Sequence, residues 1–425
     1  MDAIRKFGRT TFSSLEVRNY RLYFFGQSVS FSGTWMQGVA QGWLMLQLTG
    51  SGTELGSMMA LQFLPLLLFG PWGGALVDRL DKRVIISVTN AAFAFVALVI
   101  GIAVALGVIQ VWMLYASALL FGVIRIFDNP VRQSFVSEIV APAYLKNAVS
   151  LNSVTMNLAR AIGPTLAGIL ITTVGIASCF LFNALSYFAV ILMVSRMRKE
   201  ELLTPSRSEE RGHVLDGFTY VRSVPLIRQT LLLMAVIGTI SYEFEVSLPI
   251  LGQGVFHADA SGYAALFVAF GIGAVIGGLF AASRRTVAPR HLIAFVFFFG
   301  VAIITAALMP TLALAVLMMA PVGFFSINLT STANTMIQLA ARPDMRGRVM
   351  ALWSMAMVGS TAVGGPLIGF IGEHAGGRFG LIVGGIVAIA AALFAAALLR
   401  RDRLRPIPAE VEMQTEIAEA ENIKL

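Results

Sequence analysis

One cysteine, Cys179, in 425 residues excludes any disulfide within the chain and any thiolate metal cluster. Charge is scarce as well: Asp, Glu, Lys and Arg make up 13% of the residues, about half the share in an average soluble domain. No glycine-rich loop ends in Gly-Lys-Ser or Gly-Lys-Thr, so the chain carries no nucleotide motor of its own. No constellation of nucleophile, base and orienting group, and no set of metal ligands, can be assembled, which argues against a membrane-embedded enzyme and against a cofactor. The basic amino terminus, MDAIRKFGRTTFSSLEVRNYR, precedes an apolar stretch too long for a signal core, so that stretch is expected to persist.

What the chain has instead is apolar length. It is 57% hydrophobic, and its mean hydropathy is +0.79. Stretches long enough to cross the hydrocarbon as helix recur from end to end, about twelve in number. They lie at roughly 20–46, 54–77, 84–106, 110–131, 147–172, 176–196, 229–251, 261–283, 290–309, 312–340, 347–371 and 379–399. The expected fold class is therefore all-α and polytopic. The net charge of +8 does not point to nucleic acid, because the basic residues cluster in alternate loops: Lys82 and Arg83, Arg132 and Lys146, Arg196 to Arg228, Arg342 to Arg348, Arg400 to Arg405. The other loops hold only Arg378. Positive charge stays on the cytoplasmic side, so both termini are expected there.

The polar segment RKEELLTPSRSEERGHVLDGFTYVRS divides the spans into two groups. The expected organisation is a six-helix bundle over 1–196, a cytoplasmic linker over 197–228, a second six-helix bundle over 229–400 and an acidic cytoplasmic tail over 401–425. Val214, Phe218, Val221 and Leu226 have helical spacing, which predicts an amphipathic helix on an anionic leaflet. An offset of about 201 positions superimposes Gly122 on Gly323, Ile126 on Ile327 and Pro142 on Pro343, and brings Gly163-Pro164 within about one residue of Gly365-Pro366. Two parallel six-helix repeats with cargo bound between them are a transporter architecture, complete in one copy of the chain, so a monomer is expected.

After the second span the sequence reads GGALVDRLDKR, which resembles the signature loop of the major facilitator superfamily. Asp78 and Arg79 match it, Lys82 and Arg83 give the basic pair, and Asp81 stands where the superfamily usually has glycine. The resemblance implies a cytoplasmic latch against a helix start in the other half, in which Gly74 permits close approach and Asp78 favours a helix N-terminus; Asp128, in the inner third of its span, is the expected partner of Arg79 to Arg83. NLARAIGPTLAGIL resembles the superfamily's antiporter motif through Gly163, Pro164 and Gly168, with Ala159 and Ala167 in place of glycines. Together with FDNPVRQSFVSEIVAPAYLKNAVSLNS, it is similar to the bacterial branch of enterobactin exporters and multidrug efflux proteins. That resemblance implies proton-driven export of an amphipathic small molecule, a drug or a siderophore, across the bacterial inner membrane. An importer or lipid flippase of the same fold, or a sensor or assembly partner that transports nothing, remains open.

The first span carries Gln27, Ser30, Thr34, Gln37 and Gln41 three and four residues apart, a polar stripe expected to face a wet cavity. Trp35, with Phe31 and Trp43, offers flat apolar faces to cargo. In the superfamily the first, fourth, seventh and tenth spans line the pathway, and the tenth here holds Asn328, Ser331, Asn334 and Thr335. Arg125, Asp128, Arg160, Glu243 and Glu245 are the charges within the spans, where each is costly unless paired or wet. Counted along the helices, Arg160, Glu243 and Glu245 lie near mid-depth, with Arg125 and Asp128 nearer the cytoplasm.

Export driven by protons needs a group that binds and releases one, and no histidine lies deep in a span. Glu243, Glu245 and Arg160 are therefore the proton-coupling candidates. Residues two apart point about 200° away from each other on a regular helix, so the two glutamates cannot share a face unless the helix is disturbed. Pro249 lacks an N–H and frees the carbonyl of Glu245, which places the expected disturbance there and favours Glu245 as the residue facing the cavity.

Overall fold

The computed structural model describes residues 12–77, 80–203, 214–284, 287–342 and 345–403. Among them there are helices and connections and no strand, as expected where lipid offers the backbone no hydrogen bonds. The first six long helices are α1 (Arg18–Thr49), α2 (Gly52–Val77), α3 (Lys82–Ala105), α4 (Val111–Ile139), α5 (Pro142–Thr173) and α6 (Ala177–Ser195). A short helix, α7 (Val214–Ser223), precedes a helix pair, α8 (Pro225–Val236) and α9 (Phe244–Phe256). Then come α10 (Ala260–Ser283), α11 (Pro289–Leu308) and α12 (Leu312–Ala340), a second pair, α13 (Arg346–Ser354) and α14 (Thr361–His374), and α15 (Phe379–Arg403).

Among the described residues eleven stretches are long and apolar enough to cross a membrane, the pairs α8–α9 and α13–α14 counting as one each. The expectation was about twelve. The one not counted is α1, whose 32 residues include the Gln, Ser, Thr and Gly positions that dilute its apolar content.

Both helix pairs are joined through a π turn, Ile237–Ser241 in one and Met355–Gly359 in the other. The turns meet: a Cβ on Gly238 would lie 2.7 Å from the Ala356 carbonyl, and one on Gly364 would collide with the Thr239 carbonyl. The break in the seventh span falls at Tyr242 (φ −102°, ψ 15°) and Glu243 (φ −85°, ψ 50°), just ahead of α9. Pro249 lies inside α9 rather than at a break. The disturbance comes from backbone crowding between two spans, which a proline count along one span does not reveal.

Helix packing repeats along the chain. In the first part α1 packs on α5 and α6, α2 on α4, and α3 on α4 and α6. In the second, α10 packs on α12, α11 on α12 and α15, and the π turn before α9 on α14 and α15. Among the described residues the two most extensive seams between the parts are α2 with α14 and α5 with α10, and small residues line both. Gly52 and Gly56 abut Gly369 and Gly365, while Ala161 and Gly168 abut Gly271 and Ala264. Glycines four apart let helix backbones meet directly. Above the α2–α14 seam, Glu373 accepts hydrogen bonds from Ser51 Oγ (2.7 Å) and from the Thr53 N–H (2.8 Å).

This seam lies at the face away from residues 18 and 403. Near the opposite face the apolar clusters separate, one built on Tyr20, Tyr23, Phe135 and Val194, another on Val221, Ile227, Leu231 and Val349. The linker helix α7 belongs to the second of these: Gly217 packs on Arg348, and Tyr220 Oη accepts from the Arg342 N–H at 3.0 Å. It docks on protein through Val221, with Phe218 left exposed.

Candidate functional site

The polar stripe of α1 faces neighbouring helices. Gln27 is buried, and its amide oxygen accepts from Arg132. Gln37 Oε1 accepts from Asn183 Nδ2 of α6 at 2.7 Å, and Gln41 donates to Ser117 Oγ of α4 at 3.4 Å. Thr34 bonds the Ser30 carbonyl and pairs with Tyr187 Oη at 3.1 Å. All three glutamines are buried among helices, so the structure places them as ties where a cavity wall was expected. Gly38 of α1 is exposed, and no neighbouring helix has an atom within 4 Å of where its Cβ would stand.

The charges sort into two groups. Asp128 pairs with Arg132, one turn on, and accepts from Thr89 Oγ1 at 2.9 Å. Arg132 also donates to Asn90 Oδ1 at 3.1 Å, so this polar knot is confined to α1, α3 and α4. Asp128 was expected opposite the basic loop; an arginine on its own helix takes it instead. Within that loop Asp78 and Arg79 lie outside the described residues, and Gly74 is in the last turns of α2. Arg83 donates to the Val194 carbonyl at 3.0 Å, and Lys82 pairs with Glu138. Asp81 caps α3 by accepting from the Arg83 N–H at 2.9 Å, which gives the residue in glycine's place a role of its own.

The second group is central. Glu245 is half-buried in the first turn of α9, where the helix dipole favours a carboxylate. Arg125 of α4 and Arg160 of α5 both act on its charge. Arg125 was expected nearer one face, yet it shares a charged neighbour with Arg160. The Arg160 guanidinium lies 5.1 Å from the Trp35 ring and that of Arg125 lies 5.5 Å from the Phe63 ring. Glu243, by contrast, is 3% exposed, and its Oε1 has no hydrogen-bond partner among the described residues. It faces Thr361 at the start of α14. The two glutamates thus sit in different surroundings, one under the influence of two arginines of the earlier helices and one enclosed between two broken spans.

Of the remaining candidates, Asn328 is buried and donates to the Gly277 carbonyl at 3.1 Å, and Asn334 accepts from Gln338 at 2.5 Å. Trp43 stacks on Tyr263 with ring centres 5.7 Å apart, and Phe31 lies under Arg132. In α5, a Cβ on Gly163 would lie 2.5 Å from Trp35 Cβ, so this glycine seats α1 and presents Trp35 beside Arg160. Pro164 stands inside the same helix. Sequence patterns missed Phe63, Tyr263 and Gly38. Phe63 and Tyr263 each lie on a helix different from the charge or ring they meet, so no spacing along the chain signals the meeting.

The fold matches that of a bacterial homologue of the human lysosomal transporter Spinster in an inward-facing, unoccupied conformation, with TM-score 0.72 and 14% identity over 92% of this chain and 98% of that one. The nucleoside transporter NupG is similar at TM-score 0.71 and 12% identity, over 89% and 98%. The multidrug efflux pump Tap of Mycolicibacterium fortuitum is 28% identical, over 88% of this chain and 90% of that protein. The enterobactin exporter EntS of Citrobacter koseri is 24% identical over 83% and 82%. The staphyloferrin A transporter of Staphylococcus aureus is 25% identical over 60% of this chain, a match spanning 65% of that transporter. The family described as transmembrane secretion effectors matches residues 9–422, and the chain belongs to it, within the major facilitator superfamily of membrane transporters.

Proposed function

We propose that the protein is a proton-coupled exporter of amphipathic small molecules, drug or siderophore, that works by alternating access. The observation that carries this reading is Glu245, held by the later helices and facing Arg125 and Arg160 of the earlier ones. When the two parts rock, a carboxylate so placed exchanges a charged, arginine-facing setting for another, and a proton can bind in one and leave in the other. Residue Glu243 then serves as an enclosed structural acid and Arg160 as the partner that senses Glu245.

In this reading α1 is the twelfth span. The repeated helix contacts support two six-helix bundles, with the seams as the closed side. The basic residues at the face of residues 18 and 403 support a cytoplasmic location for both termini in a bacterial inner membrane, and one copy of the chain suffices. Gly74, Asp78, Arg79 and Arg83 would latch the cytoplasmic side in the opposite state, and Gly163, Pro164 and Gly168 would provide the flexing segment of α5.

Reconstituted vesicles with an inward proton gradient test it, with a panel of siderophores and antibiotics as cargo. Glu245→Gln should keep cargo binding and lose cargo-driven proton movement, whereas Glu243→Gln should retain both. Undiminished coupling in Glu245→Gln overturns the role of Glu245, and accumulation of cargo in the direction of import overturns export.

A further inference from the structure

Arg125 and Arg160 come from different helices, are half-buried, and make no hydrogen bond or ion pair with any described residue. The Nε of Arg160 is buried without an acceptor. A guanidinium at mid-depth in a membrane protein is retained where something negative meets it. Glu245 is the carboxylate that acts on both, and one negative charge cannot satisfy two positive ones. The surplus is positive.

The rings add shape to the charge. An arginine lying over an aromatic face keeps the N–H groups at its edge free, in the fork that matches a carboxylate or a phenolate. Phe63 and Trp35 back the two guanidinium groups in this way, and Gly38, one turn past Trp35, leaves the space beside them open.

We infer that the pathway takes organic anions with a flat conjugated body, their negative groups held by Arg125 and Arg160 and their rings set against Trp35. This rests on the transport reading above and narrows it to one class of cargo. Glu245 and the anion compete for the same two arginines, so cations are disfavoured by the surplus charge.

The probes are naphthoate, its neutral methyl ester and naphthylmethylammonium, which share a ring system and differ in charge. Binding to the purified full-length protein in lipid nanodiscs should favour naphthoate at least tenfold over the other two. Arg125→Gln and Arg160→Gln should each weaken naphthoate at least fivefold and leave the ester unchanged, while Arg125→Lys and Arg160→Lys, which keep the charge and lose the fork, should recover only part of the affinity. Equal or tighter binding of the ammonium, no saturable naphthoate binding, or a naphthoate affinity untouched by both glutamine variants overturns the inference. Extrusion from everted vesicles is scored separately. A protein that extrudes other compounds but fails the naphthoate test removes the anion site and leaves export standing. One that binds naphthoate through its arginines but extrudes nothing keeps the site and removes export.

Discussion

Asp128 and Arg132 stand one turn apart on α4, with 6% and 11% of their side chains exposed. Such a pair adds little over an apolar one of the same shape, but breaking it strands a charge. Arg132→Leu should therefore cost about 3–5 kcal/mol, seen as a fall in apparent melting temperature. Adding Asp128→Leu should recover much of that loss. At this scale the sequence showed which residues were costly and not whom they met. Arg132 was read as a loop charge, yet it gathers Asp128, Asn90 and Gln27 from three helices. That pairing depends on how α1, α3 and α4 rotate about their axes, which their own periodicity leaves open.

Among the helices, ends and seams are better determined than faces. Asp259 caps α10, its carboxylate accepting from the Gly262 N–H at 2.9 Å and from Ser261 Oγ at 2.7 Å. The bond from Gly262, then that from Ser261, holds this carboxyl below the usual carboxylate range. Its folded value is the lower one, so the cap contributes fully above the ordinary aspartate value and is lost as pH falls through the folded one. Asp259→Ala should cost about 1 kcal/mol near neutral pH and progressively less in acid, measured as melting temperature against pH. The α2–α14 seam makes a sharper prediction. A Cβ at Gly56 would run into the Gly365 carbonyl, so Gly56→Leu should force the helices apart and disfavour the state with this seam closed. Crosslinking between cysteines placed at 53 and 373, with Cys179 replaced, should fall severalfold. Span positions, the linker helix and the two Gly-Pro sites were legible because length and breaker residues fix them. The π turns were not, since they answer crowding between two spans that lie far apart in the chain.

For the molecule as a whole, closure at one face is held by few bonds. Glu373 reaches from the end of α14 to the start of α2 and satisfies Ser51 and the Thr53 N–H. Glu373→Ala leaves the exposed helix start to water, so stability should change by about 1 kcal/mol or less while the balance between closed and open seams shifts. A single cysteine at position 38, in a chain with Cys179 replaced, should then react severalfold faster with an impermeant maleimide added from the Glu373 side. An unchanged rate would show that the glycine contacts alone keep this face shut. The repeat was visible in the sequence as an offset of about 201 positions, and the packing repeats in step with it. Which face is closed was not visible, because both arrangements use the same helices and the same residues.

Glycine against glycine has a mechanical consequence for such a chain. Side chains that interlock must leave and re-enter their rotamers whenever two helices part, whereas Gly52 and Gly56 meet Gly369 and Gly365 as bare backbone with nothing to unthread. The seam is a low-friction bearing, tight at rest and cheap to roll.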